Sequence, residues 1–340
     1  MTFPFSTGAD LAVGGGGRAE EPARPKAEVG VVLVHGLNGS RYDMQELEIY
    51  LRARGLQVVN LLLPGHGEEE ANQLVEVSWR DWVEAVRSEV QALKRRCSAV
   101  FLVGHSLGGA LVLYVAAQEA VDGVVAMCAP LHLYSWTLPF IRLARRVMPR
   151  IRWAWEDIRD PAARYAYSRQ RFKQSYQWRV LVAIENLMEF LPHLRQALPT
   201  VTAPTLIMVA RHDHVVPPRD GQAIYHQISS PEKYLVTFHR SYHLITKDYD
   251  REEVFEKTAL FIHEQARKRG ISVQGESHQR AWQQAGTPFD APPVVSLQTR
   301  CWRWCQQQWQ LSSMRAAQFA QCFTSWASLV YTQTAKRLKP

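Results

Sequence analysis

Apolar and polar positions follow two different rhythms along the first part of the chain. Short, mostly apolar runs occur at Val29–Val34, Gln57–Leu63, Ala99–Val103 and Gly123–Cys128. Runs of this length with few polar interruptions predict strands buried on both faces. Between them the rhythm becomes helical. Trp79, Trp82, Val83, Val86, Val90 and Leu93 recur three or four apart, behind a capping pair of Ser78 and Asp81, and predict a helix to about Arg96. Ser40 can cap a helix that Gly55 stops near Arg54, and a helix rich in Ala, Val and Leu follows the third strand to about Glu119. Strand and helix alternating in this way predict a mostly parallel central sheet with helices on both faces.

From Leu131 to about Leu198 the alternation breaks. The stretch is helix-like, rich in Trp, Tyr, Arg and Leu, and punctuated by Pro139, Pro149, Pro161 and Pro192. It reads as a helical cap, about 131–199, inserted over one end of the sheet. Strands resume at Thr205–Val209 and Tyr234–Phe238, and a last core helix spans roughly Glu252–Arg267. The catalytic domain is therefore expected over 29–270. Residues 1–28, with their GGGG run, read as a flexible leader, and 271–296 as a linker. Over 297–340 a helical tail is expected, because Trp302, Cys305, Trp309, Phe319, Phe323 and Trp326 lie on one apolar stripe.

Composition narrows the picture. The 340 residues are 46% hydrophobic and 21% charged, as in an ordinary globular enzyme. No apolar run approaches the roughly 20 residues that span a bilayer. Ten basic residues against two acids from Ala266 onward account for the whole net charge of +8. The catalytic part is near neutral, and no nucleic-acid partner is expected. The basic tail could meet a membrane surface, a lipid granule or a second copy of the chain. Five cysteines behind a leader without signal character predict reduced thiols and a cytoplasmic location.

The chemistry is carried by Gly104-His105-Ser106-Leu107-Gly108, directly between an apolar strand and an apolar helix. This is the G-x-S-x-G elbow, in which small neighbours let a tight turn push the serine hydroxyl out at the strand's end. A serine needs a base, and the base an orienting acid. In the fold that carries such an elbow the acid follows the next-to-last core strand, which points to Asp213; Asp220 and Asp248 lie further from their strand ends. The base follows the last strand. His243 in the loop is preferred to His239 at the strand end. Backbone N–H groups of Leu37, after the first strand, and Leu107, after the nucleophile, are the expected oxyanion donors. His35 and His66 lack partners at metal-ligand spacing and read as turn residues, so no metal is expected.

These segments resemble the bacterial carboxylesterases that group with bacterial monoacylglycerol lipases. The likeness runs through LVHGLNGS, LLLPGHG, GHSLGG, VDGVVAMCAP, APTLIMVARHDHVVPP and SYHLITKDYDREEVFEKTALFIHE, from about Val31 to Glu264. It implies an α/β-hydrolase with a small helical cap, acting without cofactor on short- to medium-chain acyl esters, monoacylglycerols among them. It implies the same roles for Ser106, Asp213, His243, Leu37 and Leu107. The chain departs from the family pattern at His105 and Tyr242, and Tyr242 is expected to narrow the site. A thioesterase or acyltransferase using the same three side chains, with the basic tail docking an acidic carrier or a lipid surface, is the alternative chemistry. A non-enzymatic binding scaffold is the third reading.

Overall fold

The computed structural model describes residues 27–67, 77–132, 150–152, 156–173 and 178–271. The expected leader, linker and tail lie outside these residues, apart from their edges. Six strands build the central sheet: β1 (Ala27–Val34), β2 (Gln57–Leu61), β3 (Cys97–His105), β4 (Gly123–Met127), β7 (Thr205–Ala210) and β8 (Lys233–Phe238). They lie in the order β2-β1-β3-β4-β7-β8, and every neighbouring pair is parallel. Chain direction across the sheet reverses beside β1, between β2 and β3. In open parallel sheets this is where strand ends leave a crevice for a ligand.

The continuous apolar runs work because each strand serves two cores. Val32 and Val34 of β1 and Val100 and Leu102 of β3 face one cluster. Val29, Val31 and Leu33 of β1 and Ala99, Phe101 and Val103 of β3 face the other. Alternate residues point to opposite faces, so a strand covered on both sides must be apolar at every position. The first cluster is closed by α2 (Trp79–Arg96), α3 (Leu107–Ala116) and α5 (Leu181–Ala197). The second is closed by α1 (Arg41–Arg52) and α7 (Arg251–Lys268).

Local signals account for the helix ends. The Ser40 hydroxyl accepts the N–H of Tyr42 at 3.2 Å, and Gly55 takes the left-handed φ of 80° that turns the chain after α1. Asp81 accepts the backbone N–H of Ser78 at 2.8 Å ahead of α2.

Three features differ from the sequence expectation. The inserted region holds α4 (Pro161–Lys173) and α5, but also a two-stranded antiparallel ribbon, β5 (Arg150–Arg152) with β6 (Trp178–Val180). Pro192 sits inside α5 rather than ending it. Its position is exposed, where the carbonyl freed one turn earlier can be solvated. A further helix, α6 (Pro218–Gln227), runs between β7 and β8. Its Gly221 lies so close to the sheet that a Cβ there would stand 2.2 Å from Val209 Cγ1. That close approach, with buried Ile224 packed into the first cluster, holds the helix in place.

Candidate active site

Ser106 sits between β3 and α3 with φ 55° and ψ −118°, a strained conformation for a residue with a side chain. Its neighbours explain how the turn closes. A Cβ on Gly104 would lie 2.2 Å from Gly108 O, and one on Gly108 would lie 2.1 Å from Val34 O. Glycine at both positions lets α3 start directly over β1 and β3. The turn is pinned to the next strand by Ser106 N–H donating to Met127 O at 2.8 Å.

The loops after β7 and β8 converge on this serine. His243 Nε2 lies 3.0 Å from Ser106 Oγ, and His243 Nδ1 lies 2.7 Å from Asp213 Oδ2. An ionised carboxylate can only accept, so the proton is on Nδ1. That leaves Nε2 as the acceptor facing the serine hydroxyl. The second oxygen of Asp213 accepts N–H groups from Val215 and Val216 at 2.8 and 2.7 Å. Burial opposes the charge on Asp213. The charge and hydrogen bond of His243, with those two amides, outweigh it and hold the carboxyl below the usual range.

The structure thus brings Ser106, His243 and Asp213 together and leaves the rivals elsewhere. His239 is exposed. Asp220 accepts the N–H groups of Leu131 and His132 at 2.8 and 2.9 Å. Asp248 accepts four, from Arg159, Asp160, Tyr242 and Tyr249, at 2.7 to 2.9 Å. Both rivals therefore organise backbone around the inserted region. Tyr242 packs its ring against His214, centroids 4.5 Å apart, instead of narrowing the site as expected.

Leu37 lines the cavity next to Ser106 and His243, and Leu107 is the first residue of α3. A helix's first N–H groups have no intrahelical acceptor. The cavity has a volume of about 180 Å³. Ile184, Leu187, Val215 and Leu244 give it apolar walls, while Asp43 and Tyr167 give it a polar side. Tyr167 donates its hydroxyl to Asp43 Oδ1 at 2.6 Å, tying α4 to α1. No motif marks this pair, whose members are 124 residues apart in the chain.

One further group of side chains with ligand chemistry lies beside the site. His105, Cys128 and His243 bring potential metal-ligating atoms within 4.8 Å of one another. Yet both nitrogens of His243 face Asp213 and Ser106, and His105 Nε2 donates to the carbonyl of His243 at 2.9 Å. Burial, then the nearby Asp213 charge, push the Cys128 thiol well above its usual pKa, so it stays protonated. His105 Nδ1 is left without a hydrogen-bond partner among the described residues, but His243 has no nitrogen to spare and Cys128 keeps its proton.

Comparison with known proteins agrees with this architecture. A family model described as Hydrolase_4, serine aminopeptidase S33, matches residues 25–250. The chain is 31% identical over 237 residues to a thermostable monoacylglycerol lipase of Bacillus sp. (strain H-257), covering 69% of this chain and 90% of that one. It is 25% identical over 239 residues to a carboxylesterase of Bacillus subtilis, covering 68% and 91%. A solved structure from work on LipS and LipT, two metagenome-derived lipolytic enzymes, superposes with a TM-score of 0.63 at 29% identity, covering 70% of this chain and 95% of that one.

Proposed function

We propose, from the premise that the chain belongs to the Hydrolase_4 (serine aminopeptidase S33) family, that it is a serine carboxylesterase acting on short- to medium-chain acyl esters, monoacylglycerols among them. The observation that carries this reading is the unbroken relay from Asp213 through His243 to Ser106 at the floor of a largely apolar cavity.

The chemistry follows from the protons already assigned. Ser106 Oγ attacks the ester carbonyl while His243 Nε2 takes its proton. Asp213 keeps the imidazole in the right tautomer and stabilises the imidazolium that forms. Negative charge moves onto the carbonyl oxygen, where the N–H groups of Leu37 and Leu107 are the proposed donors. The tetrahedral intermediate collapses, and His243 returns its proton to the departing alcohol. A water molecule, activated by the same imidazole, then releases the acid from Ser106. These steps call on this chain's own groups and water. The apolar walls suit an acyl chain.

The test is hydrolysis of p-nitrophenyl esters of increasing acyl length, beside an acyl-thioester and an aminoacyl p-nitroanilide. Rates are expected to be highest on the shorter oxygen esters and to vanish with Ser106→Ala. A fluorophosphonate probe that fails to label Ser106, or a clear preference for the thioester or anilide, overturns the reading.

A further inference from the structure

The nucleophile and its two helpers are held in unlike ways. Ser106 is built into the sheet, because its turn is the end of β3 and its N–H is bonded to β4. Asp213 and His243 stand on loops that have already left β7 and β8. The separation of those two loops decides whether the carboxylate reaches the imidazole. Asp157, within the inserted region just ahead of α4, contacts both.

Asp157 Oδ2 accepts the backbone N–H of His243 and that of His214, each at 3.1 Å. Asp157 Oδ1 accepts the ring Nδ1–H of His214 at 2.7 Å. The backbone carbonyl of Asp157 accepts the N–H of Leu244 at 3.2 Å. One side chain therefore clasps the residue after Asp213 and the backbone of His243 itself. The clasp is anchored in turn, because Asp248 binds the N–H groups of Arg159 and Asp160 two and three residues on. The carboxylate is largely buried, its side chain 15% exposed, so its hydrogen bonds are only weakly contested by water.

We propose that Asp157 is a positioning residue: it fixes the spacing between the acid-bearing and base-bearing loops, and so keeps Nδ1 of His243 within reach of Asp213. The inference rests on the reading of Ser106, His243 and Asp213 given above. A one-ångström misplacement at a reacting centre can cost on the order of a hundredfold in rate, so a residue acting only through another can still matter.

Asp157→Ala removes every side-chain bond of the clasp. Asp157→Asn keeps the size, and its amide oxygen can still accept the N–H groups of His243 and His214. Its NH2 can donate to His214 Nδ1 once that ring carries its proton on Nε2. Rates are referred to the fraction of Ser106 that a fluorophosphonate labels at saturation, which removes any loss of folded protein. In Asp157→Ala, kcat is expected to fall on the order of ten- to a hundredfold with KM changed less than about threefold. Asp157→Asn is expected to recover most of that loss. In a His243→Ala background the Asp157→Ala change should have no further effect on the residual rate. An Asp157→Ala enzyme with kcat within twofold of the parent overturns the proposal. So does an Asn variant as impaired as the Ala variant, or a full extra loss in the His243→Ala background. If the parent's activity survives Ser106→Ala, the triad reading itself has failed, a result distinct from all of these.

Discussion

The ring of His66 accepts the backbone N–H of Asn38 through Nε2, at 3.2 Å across 28 residues of chain. His35 does the same in the opposite direction, accepting the N–H of Leu63 at 3.1 Å. Each ring donates from Nδ1 to a nearby carbonyl, His35 to Gly36 O at 2.8 Å and His66 to Pro64 O at 3.1 Å. The loops after β1 and β2 are therefore stapled by two neutral imidazoles packed edge to face, 4.9 Å apart. One of those loops carries Leu37.

Protonation would drive a second ring N–H against a backbone N–H. Burial above all pushes the pKa of His35 down to about 4 and that of His66 to about 3. The unfolded rings titrate near 6.5, so on going from about pH 6.5 down to about pH 4 the unfolded chain binds protons that the folded one does not. Stability from these rings is complete above about pH 6.5 and declines as pH falls. At pH 5 the loss should be about 1–2 kcal/mol per ring. Urea unfolding at pH 8 and pH 5 measures it. His66→Gln should lessen the dependence by about one ring's share, and a variant as pH-sensitive as the parent would contradict the assignment.

Gly108→Ala should not be tolerated. Its Cβ would stand 2.1 Å from Val34 O and 2.6 Å from His35 O, both backbone atoms that cannot step aside. The expected outcome is a loss of more than about 3 kcal/mol, or insoluble protein. Gly270→Ala is the control, since nothing lies within 4 Å and only the φ of 74° is strained. It should cost about 1 kcal/mol.

Asp213→Asn keeps size but turns an acceptor toward His243 into a donor. The imidazole would then move its proton to Nε2 and present a donor to Ser106. A fall in kcat on the order of 10³- to 10⁴-fold is expected with KM little changed. Steady-state kinetics on a p-nitrophenyl ester measures this, and a fall below tenfold would deny Asp213 its role.

Asp248→Ala would leave four backbone N–H groups without their acceptor at a fully buried site. A destabilisation of about 3–5 kcal/mol is expected. Thermal or urea melting decides it. A change below 1 kcal/mol would show that water replaces the carboxylate there.

Much of the sheet was legible in the sequence because its strands are buried on both faces and so are apolar throughout. Ser40, Gly55 and the Ser78–Asp81 pair marked helix ends through local hydrogen bonds. The signal failed where packing rather than pattern holds an element. In α6 only Ile224 is a fully buried apolar residue, and Gly221 sets the rest of its place by closeness to Val209; Pro192 is tolerated because its position is exposed. Asp157 had no signature, since its partners lie 57 and 86 residues away.

The sequence by itself determined the six strands of the central sheet, its two-faced burial and the serine on its tight turn. These depend on residues close together in the chain, whose periodicity and backbone preferences act locally. Position after the strand ends already favoured Asp213 and His243, but only the tertiary structure decided the contacts that hold them: the 2.7 Å bond between the two, and the clasp of Asp157 on both loops. Those are distances through space between segments far apart in the chain, which local periodicity does not encode.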